Sequence, residues 1–159
     1  MTTTPRRRRG RLGEFLPTVG MAMTVTLAGA WSGTARASPA QDYMLYCMGC
    51  HGAQAQGVPG KIPPLAHSIG RFMRSAAGRD YLMRVPGAAN SVLSDAQLAA
   101  VLNWLAEEFN SDELTADMPK FTAAEVGARR HVPLGSVLAK RRELVSDLAA
   151  TGAAPPADY

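Results

Sequence analysis

The strongest hydrophobic pattern of the chain lies at positions 90–109, NSVLSDAQLAAVLNWLAEEF. Apolar side chains recur there at intervals of three and four residues, and they are Leu98, Val101, Leu102, Leu105 and Phe109. This spacing places them on one face of an α-helix, where they can pack against a core. Ser94 followed three residues later by Gln97 forms a capping box, which predicts where the helix begins.

Weaker helical patterns occur at positions 40–46, 69–87, 122–130 and 136–150. The second divides near Gly78 into two short pieces, and Thr122 and Glu125 form a capping box at the start of the third. The last carries one mainly apolar face, which consists of Leu138, Arg141, Val145 and Leu148. The predicted fold class is therefore all-α.

The first 37 residues have the composition of a cleavable export signal. Five arginines and no acid lie before position 14, an uncharged apolar stretch follows at 19–31, and Ala35-Arg36-Ala37 provides an A-x-A cleavage site. The apolar stretch is too short to span a bilayer comfortably, and a retained single anchor is the alternative. We therefore expect residues 1–37 to be removed, leaving a periplasmic chain that begins at Ser38.

Removing this signal changes the charge of the protein. The whole chain has 17 basic and 13 acidic side chains, and six arginines and one glutamate lie within residues 1–37, so 11 and 12 remain. The high isoelectric point is thus a property of the targeting segment. Because no basic excess remains to neutralise phosphates, we expect no nucleic-acid partner. A membrane partner is expected only if the signal is retained.

The remaining 122 residues have the size of one domain. Large aromatic side chains are few in this part of the chain, and alanine supplies much of its apolar content. A core built from such residues is thin. A large apolar cofactor would supply part of the missing volume, although thin alanine-rich cores also exist without one.

Positions 47–51 read CMGCH and hold both cysteines of the chain. A disulfide across two residues would remove little chain entropy, and a thioredoxin-like redox pair would follow a strand, whereas positions 40–46 have a helical pattern. A zinc site would need more ligands at regular spacing, and neither His67 nor His131 has a partner nearby. These three interpretations are therefore weak.

The same five residues match the C-x-x-C-H pattern of covalent haem attachment. In that pattern Cys47 and Cys50 each add to a haem vinyl group, and His51 binds the iron as the proximal ligand. The chain contains one such motif and no internal repeat, so one covalently attached haem c per chain is predicted.

The motif and its surroundings resemble the class I c-type cytochromes. The resemblance covers about positions 39–109 and rests on YCMGCHG, on Gly57 and on the sequence Pro63-Pro64-Leu65-Ala66. It implies a small helical domain at 38–110 built around one covalent haem. It also implies that a backbone carbonyl of Pro63 or Pro64 accepts the Nδ1 hydrogen of the haem histidine, which would fix the tautomer and orientation of that ligand.

By the same resemblance, the helix at 90–109 is the closing helix of the fold. It would cross the helix that precedes the motif, with Trp104 at the position where the family usually has an aromatic residue.

The chain departs from this family at the second iron ligand. The family usually supplies a methionine from the loop before the closing helix, but that loop, PGAANSVL at 86–93, contains none. Met118, in DMPKF before the Thr122 capping box, is the first candidate, and Met83 is the second. A vacant or water-ligated position is the third possibility. His67, His131 and Asn90 remain weaker candidates.

Residues 111–150 form an extension that a minimal class I domain does not need, and they are predicted to be helical. Lys140, Arg141 and Arg142 form a local basic cluster, which is either a solvated helix face or a docking patch for an acidic redox partner. Residues 151–159, TGAAPPADY, are expected to be a disordered tail.

These features favour a periplasmic single-haem cytochrome that carries electrons between a donor dehydrogenase and an acceptor such as an oxidase. The cofactor would supply the chemistry, so no catalytic residue is assigned and no enzymatic activity is expected. Two alternatives stay open. One is a haem enzyme or gas-binding protein with a five-coordinate iron, and the other is a cytochrome subunit of a larger oxidoreductase.

Overall fold

The computed structural model describes residues 1–2 and 36–155 of the 159-residue chain. The predicted export signal thus lies almost entirely outside the described residues, as do the last four residues of the tail. The helices are α1 (Pro39–Tyr46), α2 (Met48–His51), α3 (Ile69–Phe72), α4 (Ala76–Arg84), α5 (Pro86–Ala89), α6 (Asp95–Phe109), α7 (Ala123–Arg129) and α8 (Val137–Ala150), with a 3₁₀ turn at Ser111–Glu113.

The predicted all-α fold class is confirmed. Within residues 36–155 the only extended pairing is an isolated antiparallel bridge between Val58 and Ile62. No described helix is long and apolar enough to cross a membrane.

Helix α6 forms as its sequence pattern predicts. The Ser94 hydroxyl accepts the Gln97 backbone N–H at 3.3 Å, and the Gln97 side chain accepts the Ser94 N–H at 3.1 Å. One side of the helix is buried, and it consists of Leu98, Ala99, Val101, Leu102, Leu105 and Ala106. This apolar face gives the rest of the chain a surface on which to fold.

Helix α1 packs across α6 through an aromatic contact. The ring of Tyr43, which is 1% exposed, lies 5.3 Å from Trp104 and 6.4 Å from Phe109 between centroids. The buried carboxylate of Asp42 accepts a hydrogen bond from Gln97 Nε2 at 3.2 Å. These contacts fix the helix that runs directly into the CMGCH motif.

The extension shares the core of the preceding helices. The backbone N–H of Phe121 donates to Asn103 Oδ1 at 2.7 Å, and Asn103 Nδ2 donates to the Phe121 carbonyl at 2.9 Å. The Phe121 side chain is buried in the same cluster as α6, together with Val126 and Leu144. Within residues 111–150 the helical parts are Ser111–Glu113, α7 and α8, and their side chains share the core of the preceding helices.

Helix α8 presents only part of its predicted face to the core. Its buried residues are Arg141, Leu144 and Leu148, whereas Leu138 is 54% exposed. Of the basic cluster, Arg141 is buried and Arg142 is exposed, while Lys140 pairs with Glu143 at 2.7 Å. The three side chains therefore do not form one surface patch. The docking-patch interpretation of this cluster therefore loses its central residue, Arg141.

The start of the expected disordered tail is packed. Ala153 is 4% exposed and its N–H donates to the Leu148 carbonyl at 2.8 Å, while the Ala154 carbonyl accepts from Arg71 Nη1 at 3.0 Å. The expectation of disorder from position 151 is thus wrong for residues 151–155. The composition of TGAAPPADY did not reveal this because the contact partner, Arg71, lies far away in sequence.

A buried arginine at the end of α7 fastens the loop between α5 and α6. Arg130, which is 4% exposed, donates hydrogen bonds to the carbonyl oxygens of Leu93 at 2.7 Å and Ser91 at 2.8 Å. It also donates to a carboxylate oxygen of Asp95 at 3.1 Å. Longer hydrogen bonds reach two carbonyl groups of α5. One side chain of the extension thus fixes the conformation of the whole loop.

We predict that Arg130→Ala destabilises the protein by about 2–3 kcal/mol, because several buried carbonyl groups lose a charged donor. Arg129→Ala is the matched control, since Arg129 is 55% exposed and forms an ion pair with Asp80, which also pairs with Arg84. It should cost less than about 1 kcal/mol. Urea unfolding measures both values. Equal destabilisation by the two substitutions would contradict the assigned role of Arg130.

Candidate haem site

The CMGCH motif forms a single helical turn at the end of α1. The backbone N–H groups of Cys50 and His51 both donate to the Cys47 carbonyl, at 3.1 and 3.0 Å. This turn brings the two cysteines and the histidine to the wall of one cavity. Both thiols are free, and the motif lies between two helices rather than after a strand.

The electrostatics of Cys47 do not suit a redox thiol. Burial raises the pKa of Cys47, and the nearby carboxylate of Asp42 and the thiol of Cys50 raise it further. Reactive cysteines in thioredoxin-like pairs have lowered pKa values, because the thiolate is the nucleophile. The environment of Cys47 therefore argues against a thiol–disulfide exchange function.

The imidazole of His51 is held in one orientation by the backbone of the following loop. Its Nδ1 lies 3.0 Å from the Pro63 carbonyl oxygen, which can only accept, so Nδ1 carries the hydrogen. Burial lowers the pKa of His51, which favours the neutral ring. In this tautomer Nε2 keeps its lone pair and is available to a metal. Of the two prolines named from the sequence, Pro63 makes this contact, and Pro64 lines the cavity.

Gly57 shapes the loop that presents the Pro63 carbonyl. Its φ is +68°, and its N–H donates to the His51 carbonyl at 2.8 Å. A Cβ at this position would lie 2.4 Å from the Ile62 carbonyl oxygen and 2.7 Å from the Pro63 carbonyl group. Both the backbone conformation and the close approach therefore require glycine.

Tyr43 ties the end of the motif to the core. Its hydroxyl donates to the Gly52 carbonyl at 2.5 Å. Burial raises the pKa of Tyr43 to about 12, so the hydroxyl stays protonated and remains a donor at any physiological pH. The motif is thus fixed at both ends, by α1 before Cys47 and by Tyr43 after His51.

The cavity beside the motif has a volume of about 340 Å³. Most of its remaining wall is apolar and comes from the loop at 62–65 and from α3, α4, α5, α6 and α8. Its apolar side chains include Ile62, Leu65, Ile69, Phe72, Leu82, Val85, Leu93, Leu98, Val101, Leu102 and Leu105. The cavity thus takes up space within the core, as expected where small alanine side chains leave volume for a large apolar cofactor.

The residues present fit a covalently attached haem. Two free thiols and one neutral imidazole stand on a single turn at the edge of an apolar cavity, as thioether attachment and iron ligation require. A structural zinc site would need about four ligands, and residues 36–155 contain no cluster of three or more His, Cys, Asp or Glu side chains. The chemistry of the donor set thus favours haem over zinc.

The structure does not bring Met118 or Met83 to the cavity wall. The segment after Met118 is fastened to Asn103, which lies on the side of α6 away from the cavity-lining Leu98 and Leu102. Met83 is 1% exposed and points from the side of α4 away from the cavity. Neither methionine is therefore positioned as an iron ligand in this conformation.

The weaker ligand candidates also lie outside the cavity lining. His67 Nδ1 is 3.2 Å from a carboxylate oxygen of Glu113. His131 and Asn90 are exposed. Thus none of the candidates named from the sequence as a second ligand faces the cavity.

Helix α8 contributes two residues to the cavity wall, Val137 and Arg141. Arg141 is 9% exposed, and its guanidinium lies 5.4 Å from the centroid of the Phe72 ring. The sequence places this arginine both in a local basic cluster and on the mainly apolar face of the predicted helix. Its position on the helical face with Val145 and Leu148 was the signal that it points inward.

Comparison with known proteins identifies the family of this chain. The chain matches no protein-family profile. It is 33% identical over 118 residues to two proteins from Thermus thermophilus, both named cytochrome c-552. The match covers 62% of this chain and 90% and 80% of the two relatives. The similarity, the helical fold and the haem-type donor set together show that the chain belongs to the class I c-type cytochromes, proteins that carry covalently bound haem.

Proposed function

We propose that this protein is a periplasmic single-haem electron carrier in which Cys47 and Cys50 form the thioether bonds and His51 binds the iron. The observation that carries the proposal is the hydrogen bond from His51 Nδ1 to the Pro63 carbonyl, beside two free thiols on an apolar cavity. This arrangement holds the imidazole as a neutral ligand before any metal is present.

Bound haem supplies one-electron exchange at its iron, and the protein residues control how it is held. Cys47 and Cys50 keep the group attached by covalent bonds, so it is retained independently of binding equilibria. The carbonyl of Pro63 makes the His51 ring a stronger electron donor through the shared hydrogen. The apolar walls exclude water from the cavity and lower the local dielectric.

A redox partner would approach the edge of the cavity near Cys50. Cys50 is exposed, and the neighbouring α1 residues Met44, Leu45 and Tyr46 are 56%, 70% and 50% exposed. Large apolar side chains at the surface are typical of protein contact sites when they are contiguous. We propose that the donor dehydrogenase and the acceptor use this edge in turn, which suits a carrier better than a permanent subunit.

The proposed attachment predicts the behaviour of cysteine variants. After expression with a working haem-ligation apparatus, the Cys47→Ala/Cys50→Ala double variant should release all its haem to acidified acetone, because no thioether can form. Mass spectrometry of the denatured chain counts the haem that remains. Gly49→Ala is the control within the same turn, since a Cβ at Gly49 meets nothing within 4 Å, and it should keep one haem per chain. Covalent haem in the double variant would refute the assignment.

The role of the Pro63 carbonyl predicts a specific effect of Gly57→Ala. The new Cβ collides with the Pro63 carbonyl group, so we expect a loss of about 2–4 kcal/mol in stability. A weakened hydrogen bond makes His51 a poorer electron donor, so the reduction potential should rise. Urea unfolding and a redox titration measure the two effects.

Gly60→Ala is the matched control for this experiment. Gly60 also has a left-handed φ, +71°, but a Cβ there meets nothing within 4 Å. This substitution should cost only about 1 kcal/mol and leave the potential unchanged. A potential that moves equally in both variants would show that the Pro63 carbonyl does not tune the iron.

Export predicts where the chain begins. Helix α1 starts at Pro39 with Ser38 as its N-cap, so cleavage after Ala37 leaves the described helices intact. N-terminal sequencing of haem-loaded protein from the periplasmic fraction should read Ser38-Pro39-Ala40. A protein that stays in the membrane fraction with residue 1 or 2 at its N-terminus would support a retained anchor instead.

A further inference from the structure

The part of the cavity wall away from the motif contains no side chain of the kind that usually completes a haem iron. Apart from His51, the lining residues within positions 36–155 include no histidine and no methionine. The segment that runs from α4 through α5 to α6 contributes Leu82, Val85, Pro86, Ala88 and Leu93. Its polar side chains at the cavity are Tyr81 and Ser91.

The segment that contains Met118 is held away from the cavity by specific contacts, and Met83 is buried outside the cavity lining. The two hydrogen bonds between Asn103 and Phe121 fasten the chain just after Met118 to the outer side of α6. Arg79 Nη1 adds a hydrogen bond to the Pro119 carbonyl at 2.7 Å. Bringing the Met118 sulfur to the cavity would require these buried contacts to break.

The wall itself is also fastened. Arg130 donates to the carbonyl groups of Ser91 and Leu93, at 2.8 and 2.7 Å, and to α5. The loop therefore cannot easily rearrange to turn another residue inward. Because the loop connects α5 directly to α6 in five residues, it has no spare length with which to reach across the cavity.

We propose that no protein side chain binds the iron opposite His51, and that this position takes a small neutral diatomic molecule, for which carbon monoxide is the probe. This inference rests on the proposed haem attachment at Cys47, Cys50 and His51. The segment of the wall formed by Leu82, Val85, Pro86, Ala88 and Leu93 is apolar, and it admits a neutral diatomic molecule without the desolvation cost that an ion would incur. The site is thus a ligand-binding position in addition to an electron-exchange centre.

The test is an absorption titration of the full haem-loaded protein, reduced and then exposed to carbon monoxide. The ferrous protein should be high-spin before the gas is added and should bind one carbon monoxide per haem. Met118→Ala should give the same spectra and the same affinity, within twofold. A low-spin ferrous spectrum that carbon monoxide does not change would overturn the inference. So would binding that occurs only after Met118→Ala, Met83→Leu or Tyr81→Phe.

A second variant tests the wall directly. Val85→Met places a thioether on the cavity wall directly after α4, and it should weaken carbon monoxide binding at least tenfold. Leu82→Met provides another position on the same wall. If the wild-type protein has no covalent haem, the proposed attachment fails. If it has covalent haem but ignores carbon monoxide, only the present inference fails.

Discussion

The structure depends on the hydrogen bond between the His51 imidazole and the Pro63 carbonyl. To make it, the chain must turn sharply after the CMGCH motif, and Gly57 provides that turn because its backbone conformation and the nearby Ile62 carbonyl leave no room for a side chain. The contact selects the neutral tautomer whose Nε2 can bind a metal. The local fold of about 20 residues thus prepares the ligand, and the helices around it supply the apolar walls.

The extension after α6 forms part of these cavity walls, so the preceding helices do not make a complete domain without it. Arg141 of α8 reaches the cavity, Arg130 at the end of α7 fixes the loop before α6, and Asn103 binds the backbone of Phe121. Arg130 and Asn103 are hydrogen-bonded inside the protein, so removing either side chain leaves its backbone partners without hydrogen bonds. The extension and the helices that precede it are therefore expected to unfold together.

Local rules explain which parts of this structure the sequence could predict. The capping box at Ser94 and the periodicity of α6 determine that helix within one turn, and the C-x-x-C-H spacing identifies the haem-type donor set. The positions of Arg130 and of the tail depend on partners 35 or more residues away, such as Asp95 for Arg130 and Arg71 for Ala154. Composition and local residue spacing do not predict contacts over such sequence distances.

The second iron ligand could not be assigned from sequence for the same reason, because its position depends on contacts between distant parts of the chain. A methionine before a capped helix has the local pattern of a ligand loop, but Met118 follows α6 instead of preceding it, and its segment packs on the outer side of that helix. The family usually supplies its methionine from the loop before the closing helix. Here that loop is a short apolar segment whose carbonyl groups accept hydrogen bonds from Arg130. Sulfur ligation raises the potential and closes the iron to small molecules, so a wall without sulfur favours a lower potential and an accessible metal. Electron exchange at the Cys50 edge and ligand binding at this wall would then use different sides of one cofactor.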